Sequence, residues 1–287
     1  MLDPSSDLPK FLYRYRSPAT EYFWSELEAA VQRRQIFLPA AHFLNDPFDC
    51  SPAVMQSSLK QIRGAQKQIY AYRPAFDRGR FEEMHGRAIS RSNWRRIRRK
   101  VSAPIGLAAL DRRIASKMIN EARRRTKIAC FSEVKDSALM WSHYATHHSG
   151  ICIEYELDHR AAQRFGDDLP LPVRYTDTRS LVSTVDLLRF AKDATFRTED
   201  GERVMDALYL EKSSDWSYER EWRVFTMDSG EDRYHRFMSM KPATVILGSN
   251  WNEAATERLL SIVGDRISII SARPHPTQYE LLIEERI

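Results

Sequence analysis

The stretch Cys130–Tyr155, CFSEVKDSALMWSHYATHHSGICIEY, gathers ring-bearing and polar side chains between two apolar ends. Its run Trp141–Tyr144, WSHY, is followed closely by His147 and His148. An imidazole can give or take a proton near neutral pH, and an aromatic ring can stack on a planar ligand. This stretch is therefore a candidate site, although Trp141 also suits a core position and the histidines also suit a solvated surface.

A second candidate group lies in Lys212–Phe225, KSSDWSYEREWRVF. The alternation over Tyr218–Phe225 predicts a strand on which Glu219, Glu221 and Arg223 point to one side. Carboxylates on a rigid strand can stabilise positive charge that develops as a bond breaks. The same three residues would also suit an ion-pair ladder with a neighbouring strand, so both interpretations stay open.

The elements that would position the first stretch are two strands and a short helix. Lys127–Phe131 and Gly150–Tyr155 are rich in β-branched and aromatic residues, which favours strands. Between them, Asp136 or Ser137 can cap a helix from Ala138 to His147. On that helix, spacings of three and four residues place Trp141, Tyr144 and His148 on one face.

The segment Phe11–Arg16 is predicted as a first strand, because its residues alternate in character. Tyr13 and Tyr15 would then lie on one face, and Arg14 and Arg16 on the other. The other predicted elements are helices at Thr20–Arg34, Thr184–Leu210 and Asn252–Val263, and strands at Ile36–Leu38, Leu171–Tyr175, Thr244–Gly248, Ile267–Ile270 and Tyr279–Ile283.

Positive charge is concentrated in one segment, which reads as helical from about residue 55 to residue 126. Residues 60–127 hold 20 Lys and Arg against 5 Asp and Glu, whereas the rest of the chain holds 24 against 34. A basic helical segment of this kind suits nucleic acid or another acidic partner, although it also suits a solvated face. The candidate contact residues are Arg95, Arg96, Arg98, Arg99 and Lys100.

Five motifs together resemble the bacterial domain of unknown function 2971 family. They are LYRYR near the start, FLNDPFDC, CFS followed by LMWSHYATHHSGICIEY, KSSDWSYEREWR and the VILG strand. The resemblance implies a cytoplasmic bacterial or phage-related protein, of a kind sometimes considered alongside defence and toxin-like genes. It implies no activity.

The chain is also similar to ADP-ribosyltransferases in the order of its motifs: a basic residue ending an early strand, an aromatic residue or Ser in the middle, and a Glu on a late strand. This resemblance implies NAD as the cofactor and a carboxylate that stabilises the charged ribose formed when nicotinamide leaves. It implies a catalytic set of Glu221, Glu219, His143 and Tyr144, and a cofactor-binding set of Arg14, Arg16, Trp141, Ser142 and Arg223.

Two other functions remain open on the sequence. A metal-dependent nuclease could use Asp46, Asp49, Glu154, Glu219 and Glu221 as oxygen ligands for magnesium, although the neighbouring arginines could satisfy these carboxylates without metal. A non-catalytic module that binds nucleic acid or protein would need no chemistry at all. The preferred hypothesis, an NAD-dependent ADP-ribosyltransferase-like enzyme, assigns no metal.

The expected architecture is a single α+β domain over 1–287, with a mixed, partly antiparallel sheet, surrounding helices and the basic helical insertion at about 55–126. Regular βαβ alternation and a dinucleotide-binding glycine motif are missing, which disfavours a doubly wound fold. The N-terminus lacks the pattern of a signal peptide, and no apolar run is long enough to cross a bilayer, so a cytoplasmic location is expected. Three cysteines without CxxC spacing indicate buried thiols.

Overall fold

A computed structural model describes residues 8–58, 61, 78–79, 82, 86, 88–102, 104–158, 160, 169–193, 199–226 and 232–285. The chain divides into two compact units. Unit 1 comprises Met1–Phe43, Arg125–Tyr175 and Ser213–Ile287, and unit 2 comprises Leu44–Arg124 and Thr176–Lys212. Both candidate stretches of the sequence therefore lie almost entirely in unit 1.

Strands and helices are interspersed along the described chain. The strands are β1 (Phe11–Arg16), β2 (Ile36–Phe37), β3 (Ala53–Val54), β4 (Lys127–Ser132), β5 (Ile151–Leu157), β6 (Leu171–Pro172), β7 (Arg174–Thr176), β8 (Leu181–Val182), β9 (Glu211–Ser213), β10 (Glu221–Thr226), β11 (Tyr234–His235), β12 (Met240–Leu247), β13 (Ser268–Pro274) and β14 (Leu281–Glu285). The α-helices are α1 (Phe23–Glu28), α2 (Arg91–Ser102), α3 (Pro104–Arg125), α4 (Ala138–Tyr144), α5 (Thr184–Asp193), α6 (Glu199–Met205) and α7 (Thr256–Val263).

Unit 1 is built on an eight-stranded sheet in the order β14, β13, β12, β5, β1, β4, β10, β6. Neighbouring strands are antiparallel except β12 and β13, which run parallel and are joined through α7. A parallel pair needs such a crossover, because a tight turn can join only antiparallel strands. The predicted α+β class with a mixed, partly antiparallel sheet is confirmed, and the sheet is mostly antiparallel.

The two faces of this sheet carry different residues, as strand alternation requires. On one face, Tyr13, Tyr15 and Cys152 pack against Met140 and Trp141 of α4; we call this the α4 face. The opposite face, the α1 face, holds the larger apolar cluster. Its members include Leu12, Phe131, Ile153, Tyr155 and Val224 from the sheet, Phe23 and Leu27 from α1, and Leu259 and Val263 from α7.

Unit 2 contains the parallel pair β3 and β8 together with α2, α3, α5 and α6. Asp111 of α3 is buried and ties three segments together: its carboxylate accepts hydrogen bonds from the backbone N–H (2.7 Å) and hydroxyl (3.1 Å) of Ser57, and its carbonyl accepts one from the hydroxyl of Thr184. A second buried link joins Lys212 to Asp49, with Nζ 3.9 Å from the carboxylate.

Several predicted boundaries differ from the structure. The predicted strand Tyr218–Phe225 begins only at Glu221, because Ser214–Glu219 forms a 3₁₀ helix and Arg220 is left-handed, with φ of 44°. Ser213 starts that 3₁₀ helix by accepting a hydrogen bond from the backbone N–H of Asp215. The predicted helix Thr184–Leu210 is replaced by α5, α6 and a π-helical turn at Asp206–Leu210, and the predicted helix Thr20–Arg34 begins at Phe23 and ends in a π-helical turn at Ala29–Arg33.

Among the described residues, no helix combines the length and apolar character that a membrane crossing needs.

Candidate functional site

Helix α4 begins at a local cap and turns its apolar side to the sheet. The Ser137 hydroxyl accepts a hydrogen bond from the backbone N–H of Met140, which satisfies a donor left free at the first turn. Trp141 is 0% exposed, packs edge to face on Tyr15 at 5.2 Å and donates its indole N–H to the Lys135 carbonyl at 2.8 Å. Trp141, predicted to stack on a cofactor, is therefore a core residue without surface for a ligand.

His143 and Tyr144 meet the 3₁₀ helix Ser214–Glu219, and Tyr144 and Tyr218 also pack against that core. The imidazole Nδ1 of His143 lies 2.9 Å from the Tyr218 hydroxyl, and its ring lies 6.4 Å from Trp216 and 6.2 Å from Tyr144. Tyr218 and Trp216 are 6.1 Å apart. We call these four residues the ring cluster; His143 is exposed and the other three are half-buried.

A carboxylate lies directly against the ring cluster. The Tyr144 hydroxyl donates to Glu219 at 2.5 Å, and only 3% of Glu219 is exposed. The Ser132 hydroxyl of β4 donates to the Glu219 carbonyl at 2.5 Å, which fixes the end of the 3₁₀ helix against the sheet. Two sequence-predicted residues, Tyr144 and Glu219, are thus brought together.

Glu221 and Arg223 of β10 form a buried ion pair. The guanidinium donates twice to the carboxylate, Nε to Oε1 at 2.7 Å and Nη2 to Oε2 at 2.9 Å, and the two side chains are 3% and 0% exposed. The Glu221 backbone N–H donates to the Tyr175 hydroxyl at 2.7 Å. Strand alternation does place Glu221 and Arg223 on one face, but Glu219 precedes the strand and is positioned by the 3₁₀ helix.

Arg14 and Arg16 lie on the α1 face, opposite to Tyr13, Ser132 and Glu221, which pair across β1, β4 and β10 on the α4 face. Arg14 donates to the Phe37 carbonyl at 2.6 Å, and Arg16 forms an ion pair with Glu26. Burial and the charge of Arg14 lower the pKa of Arg16 to about 10, against the opposing effect of Glu26. The early arginines therefore do not converge with Tyr144 and Glu221 on one hollow.

After α4 the chain makes a turn in which Thr146, His147 and His148 are all left-handed, with φ of 45°, 50° and 66°. This conformation is strained for residues other than glycine. The His148 ring stacks on Trp141 at 6.4 Å, and its buried Nδ1 has no hydrogen-bond partner within the described part of the chain. Burial, and then the neighbouring charge of His147, lower the pKa of His148.

Two glycines hold this turn in place. A Cβ at Gly150 would lie 2.2 Å from the Arg16 carbonyl, and one at Gly248 would lie 2.0 Å from the His148 carbonyl, so neither position has room for a side chain. The backbone N–H of Asn250 donates to the His148 carbonyl at 2.9 Å, and its side chain donates to the His147 carbonyl at 3.0 Å. Ser142, predicted to bind a cofactor, is half-buried and accepts a backbone hydrogen bond from His147 within the same turn.

The basic candidates lie apart from these residues in sequence, on α2 of unit 2. Arg95 and Arg96 are exposed, and neither has an ion-pair partner among the residues that the structure describes. Arg98, Arg99 and Lys100 continue the same helix, and their side chains lie outside the described part.

The carboxylates weighed for a magnesium site are engaged individually. Asp46 accepts the backbone N–H of Phe48 at 2.8 Å, and Glu154 accepts the Thr244 hydroxyl at 2.8 Å. Within the described ranges, no group of three His, Cys, Asp or Glu residues is arranged to hold a metal ion.

Sequence reasoning missed Trp216 and Tyr218 as members of the site. Their signal was the Trp-Ser-Tyr spacing directly before Glu219, of which Tyr218 was interpreted as the start of a strand rather than as part of a helical turn that presents both rings.

Fold and site together define an α+β unit with a ring cluster and a neighbouring carboxylate on one face of its sheet. Residues 140–224 match the model of a family described as a protein of unknown function, DUF2971. The matched segment contains the whole ring cluster, Glu219, Glu221 and Arg223, whereas the LYRYR and FLNDPFDC motifs lie before it. No curated protein and no solved structure was found to match the chain.

Proposed function

We propose that unit 1 binds a ligand with a planar heterocycle, of the nucleotide class, at the ring cluster. The observation that carries this proposal is the convergence of four rings from two separate segments beside one carboxylate. His143 and Tyr144 come from α4, and Trp216 and Tyr218 come from the 3₁₀ helix that ends in Glu219. Surface rings that are held by packing and hydrogen bonds offer a stacking platform at little cost in side-chain entropy.

Stacking on such a platform is worth about 1–3 kcal/mol per base and tolerates any base, because every base has a π face. Orientation then depends on hydrogen bonds. The exposed His143 imidazole, hydrogen-bonded to Tyr218 on one ring nitrogen, can offer its other nitrogen to a ligand.

NAD is the more specific candidate within this class, and it would make the protein ADP-ribosyltransferase-like. In that chemistry the bond between nicotinamide and ribose breaks, nicotinamide leaves with the bonding electrons, and an acceptor group on the target attacks the ribose and releases a proton. Glu219, which accepts the hydrogen bond of Tyr144, would stabilise the positive charge on the ribose, with His143 taking the proton. Glu221 is unsuited to this role, because it is sealed in the ion pair with Arg223.

Binding can be measured by titrating NAD, AMP and a short single-stranded oligonucleotide into the purified full-length protein. We expect Trp216→Leu to weaken binding about tenfold to a hundredfold, which corresponds to the loss of one stacking contact. Trp251→Leu is the matched control, because Trp251 is also half-buried in unit 1 but packs on Trp24 outside the ring cluster. Equal losses in both variants, or no binding of any of the three probes, would contradict the proposal.

The transferase candidate is tested separately by nicotinamide release from NAD in the presence of nucleic acid. We expect Glu219→Gln to reduce release by about a hundredfold or more while NAD still binds. NAD binding without any nicotinamide release would reject the transferase chemistry and leave the ligand-binding proposal standing.

A second candidate function, in unit 2, is nucleic-acid binding through α2. It is favoured by the exposure of Arg95 and Arg96 and by the strong excess of basic residues in 60–127. Within the part of the chain that the structure describes, Arg95 and Arg96 have no ion-pair partner, so they can contact phosphates and release condensed counterions.

A further inference from the structure

A pocket of about 540 Å³ opens in unit 1 at the C-terminal end of β5, away from the ring cluster at its other end. Its walls come from the residue after the π-helical turn Ala29–Arg33, from the end of β5 and from the segment that joins β11 to β12. Small-molecule sites in proteins have volumes of roughly 300–1,000 Å³, so this pocket has the size of a ligand site.

The floor of the pocket is apolar. Leu157, Phe237 and Met240 line it, and all three are buried because each also belongs to the core on the α1 face. Met238 stands at the rim with 48% of its surface exposed. A floor fixed by the core offers a dry surface to the apolar or planar part of a ligand.

Four cations surround this floor: Arg34, Arg160, Arg236 and Lys241. All four are exposed, and within the described residues none has an ion-pair partner. This differs from Arg16, Arg220, Arg223 and Arg273, each of which is paired with a carboxylate.

Two carboxylates also line the pocket, so its formal charge is positive by two. Glu156 lies directly opposite Lys241 in the pairing of β5 with β12. Asp158 is engaged by the backbone, because its carboxylate accepts the N–H of Arg160 at 2.9 Å. The remaining excess of guanidinium and ammonium groups suits an anion with several oxygen atoms.

Arg34 has an unusual backbone. It is left-handed, with φ of 53° and ψ of 43°, and it ends the π-helical turn at a position where glycine is normally favoured. Glycine, which has no side chain, would fit the backbone conformation of this position better. The chain nevertheless has a long cationic side chain here, at the pocket.

We propose that this pocket binds a small phosphorylated organic molecule. Arg34, Arg236 and Lys241 hold the phosphate, and the apolar or planar part of the ligand rests on Phe237 and Met240. Guanidinium groups match phosphate oxygens in geometry and charge, which explains why arginines dominate the rim. This site is separate from the ring cluster, so the proposal does not depend on whether the ring cluster binds nucleotides.

The test is isothermal titration of the full-length protein with pyrophosphate, AMP and adenosine. We expect pyrophosphate to bind. In the Trp216→Leu background, which removes stacking at the ring cluster, we expect AMP to bind and adenosine to bind at least about tenfold more weakly than AMP. Arg34→Gln and Arg236→Gln should each weaken binding of pyrophosphate about tenfold or more. Arg33→Gln, which removes the same charge from the neighbouring residue already bound to Gln35 and Glu28, should change it less than about twofold.

A further variant separates binding from folding. Arg34→Gly relieves the left-handed strain, so its melting temperature should equal or exceed that of the wild type while pyrophosphate affinity falls as in Arg34→Gln. Trp216→Leu should leave pyrophosphate affinity unchanged, because it alters only the ring cluster. Unchanged affinity in Arg34→Gly, an equal loss in Arg33→Gln, or no binding of pyrophosphate and AMP at millimolar concentration would overturn the proposal.

Discussion

The two neighbouring glutamates of the second stretch have different roles, although they are only two residues apart. Glu221 is sealed with Arg223 inside unit 1, and Glu219 meets the hydroxyl of Tyr144 beside surface rings. A buried guanidinium is destabilising unless an opposite charge neutralises it. The Glu221 carboxylate, which Arg223 binds twice, neutralises that guanidinium. Glu219 is equally buried, with 3% exposed, but its carboxylate accepts a hydrogen bond from Tyr144 of the ring cluster, which is why the proposed function assigns it, and not Glu221, to the ligand.

Glu221→Gln should therefore destabilise the protein severely. The change keeps the shape of the side chain but removes the carboxylate charge to which the Arg223 guanidinium, 0% exposed, donates two hydrogen bonds. Breaking one partner of a buried ion pair costs about 3–5 kcal/mol. Urea denaturation followed by far-UV circular dichroism should show this loss as a lower midpoint.

Glu284→Gln provides the comparison. Arg273 and Glu284 form another close pair, but their side chains are 59% and 45% exposed, and solvent screens them. Its effect on the urea midpoint should be a small fraction of the Glu221→Gln effect. Similar midpoints for the two variants would show that the Glu221 pair is not the structural charge pair described above.

At the scale of elements, the turn after α4 is the feature that links α4 to β5 and to the end of β12. Its three left-handed residues are held by close backbone contacts at Gly150 and Gly248 and by two hydrogen bonds from Asn250. The position of α4, and with it His143 and Tyr144, depends on this contact.

Gly248→Ala should lower stability and disturb the ring cluster. The added methyl would lie 2.0 Å from the His148 carbonyl, and a backbone atom cannot move aside as a flexible side chain can. Overpacking of this kind costs about 1–3 kcal/mol or more. Thermal unfolding and the environment of Trp216, observed by near-UV circular dichroism, should both change.

The adjacent Ser249→Ala, which only removes a hydroxyl group, serves as the control and should leave both measurements near wild type. If Gly248→Ala had the same melting temperature as Ser249→Ala, the turn would have to be looser than the structure shows.

The sequence predicted the strands of unit 1 better than the site. Alternation in Phe11–Arg16 predicted both the strand and its two faces, because a half-buried strand leaves a period of two in the sequence. It could not reveal the register in which β1, β4 and β10 pair, and this register places Glu221 on the face of Tyr13, opposite to Arg14. Likewise, no pattern in Tyr218–Phe225 predicted that Arg220 adopts a left-handed conformation. That geometry depends on contacts such as the one between Ser132 and Glu219.

For the whole molecule, the distribution of charge matters more than the net value of +5. The segment 60–127 has an excess of basic residues, whereas the rest of the chain has an excess of acidic residues. In α2, the described arginines Arg95 and Arg96 are exposed. Electrostatic attraction of this kind is sequence-independent and weakens as salt is added.

The double variant Arg95→Gln/Arg96→Gln should weaken binding to double-stranded DNA and flatten its salt dependence. Each lost phosphate contact reduces the slope of log K against log salt concentration by about 0.9, so the expected change is about 1.8. Fluorescence anisotropy with a labelled duplex at several salt concentrations measures this slope.

A matched pair of changes outside the basic segment, Arg233→Gln/Arg266→Gln, tests whether position matters. It removes the same charge from exposed residues of unit 1 that line neither proposed site, and it should leave the slope nearly unchanged. Equal slopes for both double variants would show that DNA binding is not located on α2.

Strand β1 hydrogen-bonds to β4 on one side and β5 on the other, and both partners lie more than a hundred residues later in the chain. During synthesis at about 5–20 residues per second, the nascent β1 waits on the order of ten seconds before either neighbour leaves the ribosome. Through that interval its two open edges and apolar side chains are available to other nascent chains. A chaperone that holds this segment should therefore raise the yield of folded protein.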